Sequence, residues 1–436
     1  MSGTTIASVG FAAMLLLIAL RMPVGLAMLL TGSVGYVSIV GLPPFLSYMK
    51  STPYHLFANY TLSVIPLFVL MGAFAERSGL SSDLFRAAAR ALGQRKGGLS
   101  MAVIGASTLF GAICGSSVAT TATFSRAALP ELRRYGYDPA LASATVAVGG
   151  TLGILVPPSV ILIVYAIATE QNIVKLFQAA LIPALLATAF YCVVIAWVAR
   201  RDPKAAPPVF VEASEKSWQG VWPALVVAVI VIGGIYGGVF TPTEGASVGA
   251  VAMLIVGIAR RTLGLAEIRT SLLQTAETTG MIFLILLGAE VFNSFLALSR
   301  LPTEAAEAIA GSGYPPLAIL SMLLGLYILL GAVMDELAMV LLTLPVFFPV
   351  VSALDFGLPA EEVAIWFGIL VLIVVGIGLV APPIGLNVFV VAAIAKDTSL
   401  TAMYWRVLPF VAADLVRLAL VVVFPVLALL LVRLLN

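Results

Sequence analysis

Gly153-Ile154-Leu155-Val156-Pro157-Pro158 and Gly378-Leu379-Val380-Ala381-Pro382-Pro383 are two copies of one short motif, and they decide the fold. Each prolyl pair sits inside an apolar stretch long enough to cross a bilayer. Two successive prolines remove two backbone donors and crowd the preceding turn, so a helix must break there. A break at membrane depth leaves amides and carbonyls that lipid cannot satisfy. It survives only where protein or a polar cavity surrounds it. Two such breaks at matching places in two halves point to the binding site of a secondary transporter.

Working outward, the halves align on further landmarks. Gly72 matches Gly288, Gly111 matches Gly331, and Pro183 falls near Pro409, the offset drifting only from 216 to 226. The shared order is span, hairpin, broken span, span. The hairpins are expected at 100–125, around Gly115-Ser116-Ser117, and at 315–350, around Gly331 and Asp335-Glu336; the broken helices at 140–168 and 363–394. The chain then divides into N-terminal scaffold helices (1–60), a first repeat (61–200), a cytoplasmic loop with linking helices (201–272) and a second repeat (273–436). Apolar runs elsewhere, 408–435 among them, read as ordinary spans.

The fold class expected is an all-α polytopic membrane protein with inverted-topology repeats. The 436 residues are 61% hydrophobic and 10% charged, with a mean hydropathy of +1.12. A soluble chain could not hide that much apolar surface. Charge sets the orientation. The first hairpin is flanked by Arg77, Arg86, Arg90, Arg95, Lys96, Arg126, Arg133 and Arg134, whereas the second has Arg300 as its only flanking cation. By the positive-inside rule the first enters from the cytoplasm and the second from the opposite side.

Several function classes are excluded. The single histidine, His55, and the absence of Gly-x-Ser-x-Gly and His-Glu-x-x-His motifs leave no nucleophile–base pair or metal cluster for an enzyme. Cys114 and Cys192 read as packing residues. No basic cluster interleaved with aromatics suggests nucleic acid.

The residues that remain suit solute and ion binding. Gly115-Ser116-Ser117-Val118-Ala119-Thr120-Thr121 is a tip of small hydroxyl residues where a half-helix starts. Its free amides and positive dipole end suit a carboxylate, and its oxygens suit a hard cation such as Na⁺. The candidate substrate-binding residues are Ser116, Ser117 and Thr120 at this tip, Pro157, Pro158, Pro382 and Pro383 at the breaks, and Asn387 just after the second break. Asp335 is a mid-membrane carboxylate, a candidate Na⁺ ligand or proton carrier. Asp414 and Arg417, three apart on the last helix, read as a structural pair.

Five stretches carry a family likeness: 115–120 (GSSVAT), 128–140 (ALPELRRYGYDPA), 149–159 (GGTLGILVPPS), 240–246 (FTPTEGA) and 381–387 (APPIGLN). They resemble the large membrane subunit of tripartite ATP-independent periplasmic (TRAP) transporters over nearly the whole chain. The resemblance implies Na⁺-driven import of a carboxylate-bearing organic acid across the bacterial (or archaeal) inner, cytoplasmic membrane. It implies two partners, a small membrane subunit and a periplasmic substrate-binding protein, and an elevator-type transporter with scaffold and transport domains. By position it places Ser116, Ser117, Gly149 and Gly153 in one Na⁺ site, and Gly331, Asp335, Gly376 and Gly378 in another. The second half departs from the family pattern: Asp335-Glu336-Leu337 replaces an Asp-Pro-Thr-like tip, and Leu372 to Gly376 lacks the usual asparagine. The rival reading is a self-sufficient Na⁺- or H⁺-coupled carrier that needs no binding protein.

Overall fold

A computed structural model describes residues 2–209, 216–310 and 313–435, all-helical with no strand among the described residues. The loop expected from Arg200 to Ser217 lies partly outside them. α1 (Gly3–Ala19), α2 (Val24–Val40) and α3 (Leu42–Phe57) lead into α4 (Val64–Arg77) and α5 (Leu80–Leu92). The first hairpin is α6 (Gly98–Cys114) and α7 (Ser117–Ala127), followed by the short α8 (Leu129–Arg134). α9 (Pro139–Leu155) and α10 (Val160–Ala168) flank the first break, and α11 (Ile173–Arg201) follows. α12 (Lys216–Tyr236) and α13 (Pro242–Ala259) connect to α14 (Leu265–Ser299) and α15 (Leu301–Ala310). The second hairpin is α16 (Pro316–Gly331) and α17 (Glu336–Ser352); α18 (Ala360–Gly378) and α19 (Leu386–Ile394) flank the second break. α20 (Leu400–Val423) and α21 (Val426–Leu435) complete the described chain.

The chain is a multi-pass membrane protein. Among the described residues, five helices are long and apolar enough to cross a bilayer, or up to seven if each bent pair is one span. The bend between α9 and α10 is 43°. Another, of 55°, separates α20 from α21 at Phe424-Pro425, inside the run at 408–435 that reads as one span in the sequence. Hydropathy is blind to it, because Pro425 ends the helix without interrupting its apolar character. α14 has 35 residues, and at about 1.5 Å per residue it outreaches the ~30 Å hydrocarbon core.

Small residues set the closest helix contacts, as expected where lipid supplies no hydrophobic drive for helix association. α2 lies on α14 because Gly25 and Gly32 let the backbones meet. A Cβ on Gly25 would stand 2.8 Å from the Ile285 amide nitrogen, and one on Gly288 would stand 2.2 Å from the Gly25 carbonyl oxygen.

Around the breaks the packing is reciprocal. α6 packs on α9 as α16 packs on α18, and α7 packs on α19 as α17 packs on α10. The first hairpin's second arm therefore meets the second broken helix, and vice versa. α18 sits at the centre, with 83% of its apolar window buried.

A hydroxyl tip facing two broken helices

The first tip forms because Gly115 adopts φ +63°, which reverses the chain without a Cβ penalty. Ser116 then caps α7, its Oγ accepting from the Ala119 amide at 3.4 Å, while Thr120 Oγ1 donates to the Ser116 carbonyl at 2.7 Å. Ser107 and Gly111 lie four apart on α6, hence on one face. That face meets Gly149 and Gly153, also four apart, on α9. A Cβ on Gly149 would touch Ser107 Oγ at 3.0 Å, one on Gly111 would stand 2.9 Å from the Leu152 carbonyl oxygen, and one on Gly153 would stand 2.6 Å from that of Ser116. The glycines thus admit the tip's backbone to the break.

Asn387 ties the second half into this tip. Fully buried, its Nδ2 donates to Ser117 Oγ at 2.7 Å and to the Ala147 carbonyl at 3.1 Å. Its own Oδ1 is buried without a hydrogen bond, as are Thr121 Oγ1 and Ser107 Oγ.

The second tip is built differently. Gly331 ends α16, and the turn through Ala332, Val333 and Met334 leads to Asp335, which caps α17. One carboxylate oxygen, Asp335 Oδ1, accepts from the Leu337 and Ala338 amides at 3.1 and 3.0 Å. Asp335 is exposed, whereas its neighbour Glu336 turns Oε2 into the interior, buried and without a hydrogen bond. The second break clasps this tip, with the Ile384 and Gly385 amides donating to the Ala332 carbonyl at 3.2 and 3.3 Å. Gly378 makes the approach possible: a Cβ there would lie 2.5 Å from the Gly331 carbonyl carbon.

Each break frees carbonyl oxygens. The residue four beyond Gly153 is Pro157, and four beyond Gly378 is Pro382, so neither carbonyl meets a helical donor. The Val380 amide, which would serve Gly376, bonds Ile377 instead. The Pro157–Pro158 and Pro382–Pro383 peptides are both cis. Pro157 and Pro158 are buried, while Pro382 and Pro383 are exposed. The carbonyls freed at each break, the tip hydroxyls and the orphan Asn387 Oδ1 are all oxygen atoms, the donor type that a hard cation takes.

The structure therefore brings Ser116, Ser117, Thr120, Gly149, Gly153 and Asn387 into one cluster. Gly331 and Gly378 meet in a second, and Gly376 faces Thr151 across α9 and α18, with Cβ-to-Cβ spacing of 3.8 Å if a Cβ were present. Asp335 stands apart with its carboxylate engaged in capping. Sequence reasoning passed over Ser107 and Glu336. Ser107 was detectable as the residue four before the landmark Gly111. Glu336 was visible but overshadowed by its neighbour, because which of two adjacent acids turns inward depends on the cap geometry.

A cavity of about 100 Å³ lies between the two tips and the helices α4 and α14. Gly115, Ser116, Glu76, Gln274, Thr278 and Glu336 supply its polar lining. Away from it, Asp414 and Arg417 pair at 2.9 Å, both buried, and Tyr191 donates to Asp414 at 2.6 Å.

Comparison with known proteins agrees with this architecture. The chain is 36% identical over 377 residues to the C4-dicarboxylate TRAP transporter large permease protein DctM of Pseudomonas aeruginosa, covering 85% of this chain and 86% of that one. It is 30% identical over 425 residues to the isethionate TRAP transporter permease protein DctMQ of Oleidesulfovibrio alaskensis, covering 95% of this chain and 64% of that longer protein. The fold is similar to the crystal structure of the Alcanivorax borkumensis YdaH transporter, with a TM-score of 0.61 at 16% identity, over 87% and 88% of the two chains. The family model for the DctM component of the tripartite ATP-independent periplasmic transporter matches residues 11–427, and the chain belongs to that family: it is a transporter subunit, a large TRAP permease, and not an enzyme.

Proposed function

We propose that this chain is the permease of a Na⁺-coupled importer, moving a carboxylate-bearing organic solute across the bacterial inner membrane. A periplasmic binding protein delivers the solute and a small membrane subunit completes the complex. The observation that carries the reading is the reciprocal tip-and-break assembly, locked by Asn387 across the two halves. Unwound carbonyls beside a hydroxyl tip are the arrangement that holds coupling ions and anionic substrates in secondary transporters.

Two further features support alternating access by inverted repeats. Each hairpin meets the other half's broken helix. The two breaks nonetheless differ in exposure, the first buried and the second not. Related halves in unlike environments are what one end state of such a cycle requires, since each half takes the other's place in the opposite state. The hairpins and broken helices would move as the transport domain against a scaffold that includes α2 and α14. Two Na⁺ sites are assigned. The first is at Ser116, Ser117, Gly149 and Gly153, with Thr121 and Asn387 beside it. The second is at Gly331, Gly376 and Gly378, with Asp335 at its rim.

The test is solute uptake into proteoliposomes holding the chain, its small membrane partner and its cognate binding protein, with and without an inward Na⁺ gradient. Uptake that needs both the binding protein and Na⁺ supports the proposal. Uptake by the chain alone makes it a self-sufficient carrier, and uptake indifferent to Na⁺ removes the coupling ion.

A further inference from the structure

We propose that the solute carried by this chain is a small zwitterion, its carboxylate held at the first tip and its cationic nitrogen at Glu336. This rests on the importer reading above and narrows it to a substrate class.

The charge of the cavity walls carries the inference. Among the described residues, the cavity between the tips is lined by Glu76 and Glu336 and by no Lys, Arg or His. A larger cavity of about 500 Å³, bounded by α10, α14, α15 and α17, adds Glu170 and Glu290, again with no cation among the described residues. Glu76 is partly compensated by the exposed Arg126 guanidinium at 3.7 Å. Glu336 is not: its Oε2 is buried and accepts no hydrogen bond, and Asp335 beside it adds a like charge. Held there in its ionised form, the carboxylate calls for a cationic partner; without one, burial drives it to take a proton instead. A dicarboxylate spanning the cavity would set its second carboxylate against Glu336.

The two helix N-termini that meet here are unequal. At α17 the first-turn amides are taken by a carboxylate, Asp335. At α7 the cap is the neutral Ser116 hydroxyl, bonded only to the Ala119 amide. The positive end of α7 is therefore the one left to attract an anion. Ser116 and Glu336 line the same cavity. One molecule with a carboxylate at one end and an ammonium at the other satisfies both. The cavity volume of about 100 Å³ restricts it to a small molecule.

The test is calorimetric binding in NaCl buffer to the purified complex of this chain with its small membrane subunit. The probes are glycine betaine, 4-aminobutyrate and succinate, the last two matched in length. The proposal expects a zwitterion to bind at least tenfold more tightly than succinate. Glu336→Gln should abolish that preference and Glu336→Asp should retain it, the latter also reporting that the site is folded. Succinate binding as tightly as both zwitterions, no binding of either class, or an unchanged preference in Glu336→Gln overturns the proposal. A parallel uptake assay with the binding protein separates the two levels. Na⁺- and binding-protein-dependent uptake of a dicarboxylate would sink the zwitterion and leave the importer. Uptake that ignores the binding protein would sink the tripartite reading whatever the solute.

Discussion

Gly376 and Gly378 sit in one motif, two residues apart on the last turn of α18, yet the structure assigns them opposite sensitivities to alanine. A Cβ on Gly378 would stand 2.5 Å from the carbonyl carbon, 2.7 Å from the Cα and 2.9 Å from the oxygen of Gly331. All three are backbone atoms, so no rotamer change relieves the contact. The second tip must retreat until the separation reaches ordinary contact, 3.4 Å or more. Overpacking of this kind costs about 1–3 kcal/mol. If the cost falls on the tip–break contact, it corresponds to a roughly 5- to 150-fold change in that contact's population. At Gly376 the nearest atom to an added Cβ is Thr151 Cβ at 3.8 Å, an ordinary contact. There the helix gains the alanine propensity of up to about 1 kcal/mol, and the backbone carbonyl is kept. The assay is the thermal unfolding midpoint in detergent, at one scan rate, beside Na⁺-driven uptake in proteoliposomes with both partners. Gly378→Ala should lower the midpoint and depress uptake at least fivefold, and Gly376→Ala should leave both within error or raise the midpoint. Equal losses from the two substitutions would refute the argument that backbone approach at Gly331 governs this motif.

Asn387→Ala removes two interhalf hydrogen bonds and strands Ser117 Oγ; at roughly 0.6–1.5 kcal/mol per bond it should destabilise by about 1–3 kcal/mol, seen as a lower unfolding midpoint together with reduced uptake. Asp335→Asn keeps an equally good N-cap, so the midpoint should hold, while the Na⁺ concentration for half-maximal uptake should rise; an unchanged Na⁺ curve would remove Asp335 from the proposed second Na⁺ site. Asp414→Leu leaves Arg417 buried without its counter-charge and should cost about 3–5 kcal/mol. The Asp414→Leu, Arg417→Leu double change should recover most of the unfolding midpoint, and failure to recover would give the pair a role beyond neutralising itself.

Much of this protein follows from local chemistry that a linear chain displays. Tandem prolines in apolar surroundings break a helix wherever they occur, so Pro157-Pro158 and Pro382-Pro383 located both breaks without coordinates. Gly115 followed by two serines marks a reversal and a new cap by the same logic, and the hairpin arms α6, α7, α16 and α17 stand around the residues that marked them. Hydropathy and charge sufficed for a polytopic membrane protein. What the chain could not display were relations between segments remote in sequence. Asn387 reaches a hydroxyl 270 positions earlier, a pairing that no local pattern encodes. α3, α5 and α15 escaped the reading because they are too polar or too short to register as apolar runs. The choice of Glu336 over Asp335 as the inward acid arises because Asp335 spends its carboxylate on two amides of its own helix, which turns the next side chain toward the cavity. Composition determined the solvent and proline chemistry determined where helices stop; only the packing of the two halves decided which freed oxygens and which carboxylate face each other, because that depends on distances set by glycines from separate helices.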